Sequence, residues 1–138
     1  MNTVIGWIGV GSMGSRMAAN LSKGGYPLII SDKISTEAAP EDVQIAKNNQ
    51  ELARKAELVI FSVPAGPDTL TIAKEFINTP DSIVKTVIDT STIGIPHAKE
   101  AFELFKSHGI EYIDAPVSGG IAGAEAGTLA VMVGCQLD

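Results

Sequence analysis

Apolar and polar positions alternate in blocks along this chain, and the blocks have two lengths. Short apolar runs at Thr3–Ile8, Tyr26–Ser31, Leu58–Val63, Thr86–Asp89, Ile110–Asp114 and Thr128–Val133 predict strands. The unbroken run Leu58–Val63 has the character of a strand buried on both faces. Longer mixed segments at Met13–Leu21, Asn49–Ala56, Asp68–Ile77 and Ile95–Ser107 predict helices. Their ends carry suitable punctuation. Gly24-Gly25 stops the first, Asn49 is placed to cap the second, Pro67 suits the first turn of the third, and Gly109 stops the last. The polar stretch Ile34–Asn48, with Pro40, reads as a loop with a helical turn. Strands alternating with helices predict an α/β fold: a mainly parallel sheet of about six strands, helices on both faces, in one domain over residues 1–138.

The junction of the first strand and first helix adds chemistry to this pattern. Gly9, Gly11 and Gly14 form G-x-G-x-x-G directly after a strand and at the opening of a helix. Gly9 allows a sharp exit from the strand, Gly11 lets a pyrophosphate approach the backbone, and Gly14 lets helix and strand pack closely. The helix N-terminus supplies free N–H groups and partial positive charge. This context makes the sheet a Rossmann-type, doubly wound one. The alternative is a glycine-rich turn with no ligand.

Composition narrows the setting. The net charge of -6 argues against a nucleic-acid surface. No apolar run reaches membrane-spanning length, and the apolar start is a strand interrupted by Gly6, which points away from a membrane partner. The single cysteine, Cys135, allows no internal disulfide and fits a reducing, cytoplasmic compartment. Cysteine and histidine show no metal-ligand spacing.

Ligands of an open parallel sheet bind at the carboxyl ends of its strands. Asp32 closes the second predicted strand, eighteen residues after Gly14, near the spacing at which an acid holds the adenosine ribose. A carboxylate there repels a 2′-phosphate, so Asp32 favours NAD over NADP, although the adjacent Lys33 could help hold a phosphate. Val63 and Pro64 follow the third strand and can wall a cofactor. Asp89-Thr-Ser-Thr92 follows the fourth with three hydroxyls in a row. Ser118, Gly119 and Gly120 follow the fifth and could offer a hydroxyl and consecutive N–H groups to a small anion. Each of these is also an ordinary loop composition. His97 and His108 fall on a helix away from the strand ends and read as surface residues, and Trp7 and Met13 as packing residues, Met13 being close enough to touch a cofactor.

The segments Ile8-Gly-Val-Gly-Ser-Met-Gly14, Asp89-Thr-Ser-Thr-Ile93, Asp114-Ala-Pro-Val-Ser-Gly-Gly120 and Gly127-Thr-Leu129 together resemble the β-hydroxyacid dehydrogenases, most closely the 3-hydroxyisobutyrate dehydrogenases among them. The resemblance covers the N-terminal, cofactor-binding part of that family's subunit. It implies NAD(P)-dependent oxidation of a short 3-hydroxy acid to its semialdehyde, or the reverse. By position, Gly9, Val10, Gly11, Ser12, Met13 and Gly14 would hold the pyrophosphate, Asp32 the ribose, and Val63 and Pro64 the cofactor's flank. Thr92 would lie by the nicotinamide, and Ser118, Gly119 and Gly120 would hold the substrate carboxylate. Asp68 stands where related sequences often have Asn, and Cys135 where they usually have Gly. The family's general acid/base is a lysine on a later helix, followed by an all-helical domain. The last lysine here is Lys106, so no residue is assigned a catalytic role. The expectation is a truncated dinucleotide-binding domain, inactive alone, that self-associates as a homodimer through apolar surfaces a second domain would cover. The alternatives are a stand-alone dinucleotide-binding or assembly module, and a site completed by another chain.

Overall fold

The computed structural model describes residues 3–134. Six parallel strands form the central sheet: β1 (Ile5–Ile8), β2 (Leu28–Ser31), β3 (Gln44–Ile45), β4 (Leu58–Phe61), β5 (Thr86–Asp89) and β6 (Glu111–Asp114). Their spatial order is β3-β2-β1-β4-β5-β6. The order reverses between β1 and β4, so the crevice beyond their carboxyl ends is the topological switch point of the sheet.

Four helices cross between these strands: α1 (Ser12–Lys23), α2 (Asn49–Ala53), α3 (Gly66–Ile77) and α4 (Ile95–Lys106). One face of the sheet packs Ile29, Val59, Phe61, Val87 and Tyr112 against Leu52, Ile72, Phe76 and Phe105 of α2, α3 and α4. Phe105 stacks on Tyr112 with ring centroids 5.5 Å apart, and Phe61 meets Phe76 edge-on at 5.8 Å. The other face packs Trp7, Leu28 and Ile30 under Met17, Ala18 and Leu21 of α1. Gly6, which breaks the apolar run of β1, faces the first of these layers. A Cβ there would come 2.7 Å from Leu52 Cδ2, so the missing side chain is what lets α2 lie against β1.

The sixth strand is not the one expected. Thr128–Val133 was expected to join the parallel sheet. Instead β7 (Val117–Ser118) and β8 (Ala130–Val131) pair antiparallel in a separate ribbon. Between them lies α5 (Gly120–Ala126), and Gly127, at φ 73°, caps it in the left-handed conformation and turns the chain back. The parallel strand that completes the six is β3, a two-residue edge strand with both residues exposed, inside the stretch read as loop. So short an edge carries no apolar period to read. α5 packs on α1, where Asn20 Nδ2 donates to the Ala124 carbonyl at 2.7 Å. Asn48 rather than Asn49 caps α2, accepting the Glu51 N–H at 2.8 Å. Cys135 lies outside the described residues.

Candidate functional site

The glycines at the switch point play different parts, and the space around each shows which. Gly9 has φ 103°, and a Cβ on it would overlap the Ser62 carbonyl oxygen at the end of β4. A Cβ on Gly14 would overlap the Gly9 carbonyl oxygen, so α1 starts in direct contact with the turn. A Cβ on Gly11 would meet nothing within 4 Å. Two glycines are therefore required by packing, and the third faces open space.

That space is the mouth of a cavity of about 410 Å³. It is lined by Gly9, Gly11, Ser12, Met13 and Gly14, by Val63 and Pro64, by Asp32, Lys33 and Asp68, and by Asn49, Thr71, Ile72 and Glu75. The N-terminus of α1 opens into it without a capping side chain and without an acidic residue in its first turn. The amides of Ser12, Met13 and Gly14 precede the first intrahelical bond and carry the positive end of the helix dipole. An anion is the complement this end lacks.

Asp32 stands directly beside the glycine turn. Its Oδ2 accepts the Val10 N–H at 2.8 Å, and its Oδ1 accepts the N–H groups of Ile34 at 2.8 Å and Ser35 at 3.2 Å. A carboxylate has about four acceptor positions, so one is left for a ligand, on Oδ2. Trp7, buried under α1, donates its indole N–H to the Gly9 carbonyl at 2.7 Å and holds the turn from below. Val10 itself is buried: its backbone serves the site while its side chain joins the core.

The third wall depends on a buried carboxylate. Asp89 is fully buried and accepts the Thr69 hydroxyl at 2.7 Å, the Tyr112 hydroxyl at 2.9 Å and the Ser91 N–H at 3.0 Å. Ser91 Oγ in turn accepts the Val63 N–H at 2.8 Å. Asp89 and Ser91 are thus spent on fixing β4, β5, β6 and α3 at one edge, and of the hydroxyl run only Thr92 is exposed. Burial, reinforced by the charge of Asp89, pushes the Tyr112 phenol far above its ordinary range. Burial and the same charge also raise the Asp114 carboxyl.

Thr92, Ser118, Gly119 and Gly120 do not line this cavity. All four are exposed: Thr92 beyond the carboxyl end of β5, and Ser118–Gly120 where β7 passes into α5. His97 is half-buried rather than on the surface. It lies against Gly66, where a Cβ would collide with its ring, and its Nδ1 is 3.3 Å from the Ile93 carbonyl.

Three features of the cavity were not visible as such in the chain. Ser62 closes over Gly9 and Gly14. Asn49 ties β2 to α3, accepting the Ser31 hydroxyl at 2.7 Å and donating to Glu75 at 3.3 Å. Lys33 Nζ lies 2.6 Å from Asp68 Oδ1. Each joins residues far apart in sequence, and only the identity of Lys33 beside Asp32 hinted at any of them.

A sheet reversing at β1, a glycine turn opening onto a free helix N-terminus and an acid at the end of β2 define a dinucleotide-binding domain of the Rossmann class. The residues present fit such a ligand: Gly11 leaves room for it, and the first-turn amides lack partners. The family described as the NAD binding domain of 6-phosphogluconate dehydrogenase matches residues 4–138, and this chain belongs to that family. It is an NAD-binding domain. Over 96% of its length it is 38% identical to mouse mitochondrial 3-hydroxyisobutyrate dehydrogenase, of which it covers 41%. Over 96% it is also 35% identical to 2-(hydroxymethyl)glutarate dehydrogenase of Eubacterium barkeri, of which it covers 46%. A solved structure of Mycobacterium tuberculosis 3-hydroxyisobutyrate dehydrogenase with L-serine superposes with a TM-score of 0.87 at 36% identity, covering 97% of this chain and 47% of that one. The chain thus spans less than half the length of these relatives. No described helix is long and apolar enough to cross a membrane.

Proposed function

We propose that this chain is the cofactor-binding part of an NAD-dependent dehydrogenase acting on a short 3-hydroxy acid. The observation that carries the reading is the arrangement of Asp32 and the glycine turn around one cavity. The carboxylate is held by the Val10 N–H and keeps one acceptor position for a ribose hydroxyl, while Gly11 and the first-turn amides of α1 face the place of a pyrophosphate. In this reading Gly9, Val10, Gly11, Ser12, Met13 and Gly14 form the phosphate cradle. Asp32 receives the ribose, and Val63 and Pro64 flank the dinucleotide. NAD, when bound, supplies the hydride acceptor.

Thr92 is proposed to lie by the nicotinamide, because it is the exposed hydroxyl beyond the end of β5, beside β4, the strand that leads to Val63. Ser118, Gly119 and Gly120 are proposed to take the substrate carboxylate. Their support is their exposure and the match of Asp114-Ala-Pro-Val-Ser-Gly-Gly120 to the dehydrogenase signature. No proton-transfer group is assigned, and residues 1–138 are read as one cofactor domain that needs a further helical part for turnover. The proposal extends to a cytoplasmic setting, supported by the single cysteine, and to homodimerisation, supported by apolar exposure at Val131, Met132 and Val133.

Calorimetric titration of the chain with NADH and, separately, NADPH tests the cofactor assignment. The expected result is saturable NADH binding with weaker NADPH binding. A chain that binds neither would refute the reading. Sedimentation at rising concentration tests self-association, and a strictly monomeric profile would remove the homodimer.

A further inference from the structure

We propose that Asp68 determines the cofactor preference of this cleft by holding Lys33 in an ion pair and so withholding it from a 2′-phosphate. The inference rests on the reading that the adenosine ribose sits at Asp32. Lys33 directly follows Asp32 and lines the same cavity. A cation beside the ribose-binding acid is the natural partner of a 2′-phosphate, so Lys33 left to itself would draw NADP in and blunt the repulsion from Asp32.

Lys33 is not left to itself. Its Nζ lies 2.6 Å from Asp68 Oδ1 on the facing wall. The two partners are held unequally. The Asp68 side chain is 22% exposed and that of Lys33 67%. Asp68 Oδ2 also accepts the Ala65 N–H at 3.2 Å, and Asp68 sits in the first turn of α3, where the helix dipole favours a negative charge. Asp68 is therefore the fixed member, and Lys33 is the long side chain drawn to it. An NAD ribose offers hydroxyls, which Asp32 can accept. A 2′-phosphate would meet Asp32, Asp68 and a lysine whose charge is already matched.

The test is a double-mutant cycle read by calorimetry with NADH and NADPH on the 138-residue chain. Asp68→Asn removes the charge but keeps an oxygen to accept the Ala65 N–H. Asp68→Ser, whose hydroxyl also suits that position, is the second route should the first variant fold poorly. Either should raise NADPH affinity relative to NADH by about two- to fivefold, the scale of one exposed charge pair. Lys33→Ala in the wild-type background should leave NADPH affinity within about twofold, but in the Asp68→Asn background it should abolish the gain. An unchanged ratio in both Asp68 variants overturns the proposal. So does a gain that survives Lys33→Ala, which would assign the effect to the charge of Asp68 alone. In either case NADH binding by the wild type leaves the assignment of Asp32 standing. Binding of neither nucleotide by the wild type overturns both.

Discussion

The Val10 N–H donates to Asp32 Oδ2 at 2.8 Å, joining the glycine turn after β1 to the end of β2. Asp32 is thereby a structural residue as well as a ligand candidate. Asp32→Ala would strip acceptors from the N–H groups of Val10, Ile34 and Ser35 at once. These groups are partly open to water, so a stability loss of about 1–2 kcal/mol is expected by chemical denaturation. NADH affinity should fall roughly tenfold or more, and NADPH affinity less, because repulsion of the 2′-phosphate is lost with the carboxylate. Equal losses for the two nucleotides would remove Asp32 from the ribose.

The glycines separate packing from binding. Gly9→Ala and Gly14→Ala each drive a methyl group into a backbone carbonyl, and Gly9 also sits at positive φ. Each should cost roughly 3 kcal/mol or more, read as a lowered denaturation midpoint. Gly11→Ala meets open space, so its stability should stay within about 1 kcal/mol of wild type while dinucleotide affinity falls. If Gly11→Ala bound NADH as the wild type does, the cradle would not face a pyrophosphate.

How much of this was legible in the chain follows from the range of the interactions involved. G-x-G-x-x-G and Asp32 were readable because the cradle is made by near neighbours and by one strand end at a standard spacing. The strands β2 and β4 were readable because burial leaves nearly unbroken apolar runs, and β1, β5 and β6 because each still carries a short apolar run despite Gly6, Asp89 and the exposed Glu111. The antiparallel ribbon was not. Its direction is set by Gly127 in the left-handed conformation, and a glycine does not announce the sign of its φ. Asp89 looked like the start of a binding run, yet its partners come from α3 and β6 and bury it. Gly66 precedes the segment Asp68–Ile77 expected as helix, and only the ring of His97 against it shows why a side chain is absent. Contacts between residues far apart in the chain decide the last two cases, and they leave no local period.

The Asp89–Tyr112 contact gives the stability of the domain a defined alkaline limb. Tyr112 is buried against Asp89, and its phenol is raised in the fold, with burial the larger cause. In the unfolded chain a tyrosine ionises near pH ~10. Between the unfolded value and the raised folded one, the unfolded state holds fewer protons, so stability must fall as pH rises through that region. Below it the effect vanishes. Tyr112→Phe should therefore flatten the decline seen above about pH 10 in denaturation midpoints. At neutral pH the same variant should cost about 1–3 kcal/mol, because buried Asp89 loses one of its donors. The exposed Tyr26 serves as the control: Tyr26→Phe should leave the alkaline limb in place. A decline of equal steepness in wild type and Tyr112→Phe would show that other groups, the lysines foremost, govern alkaline unfolding and that the Asp89 contact does not.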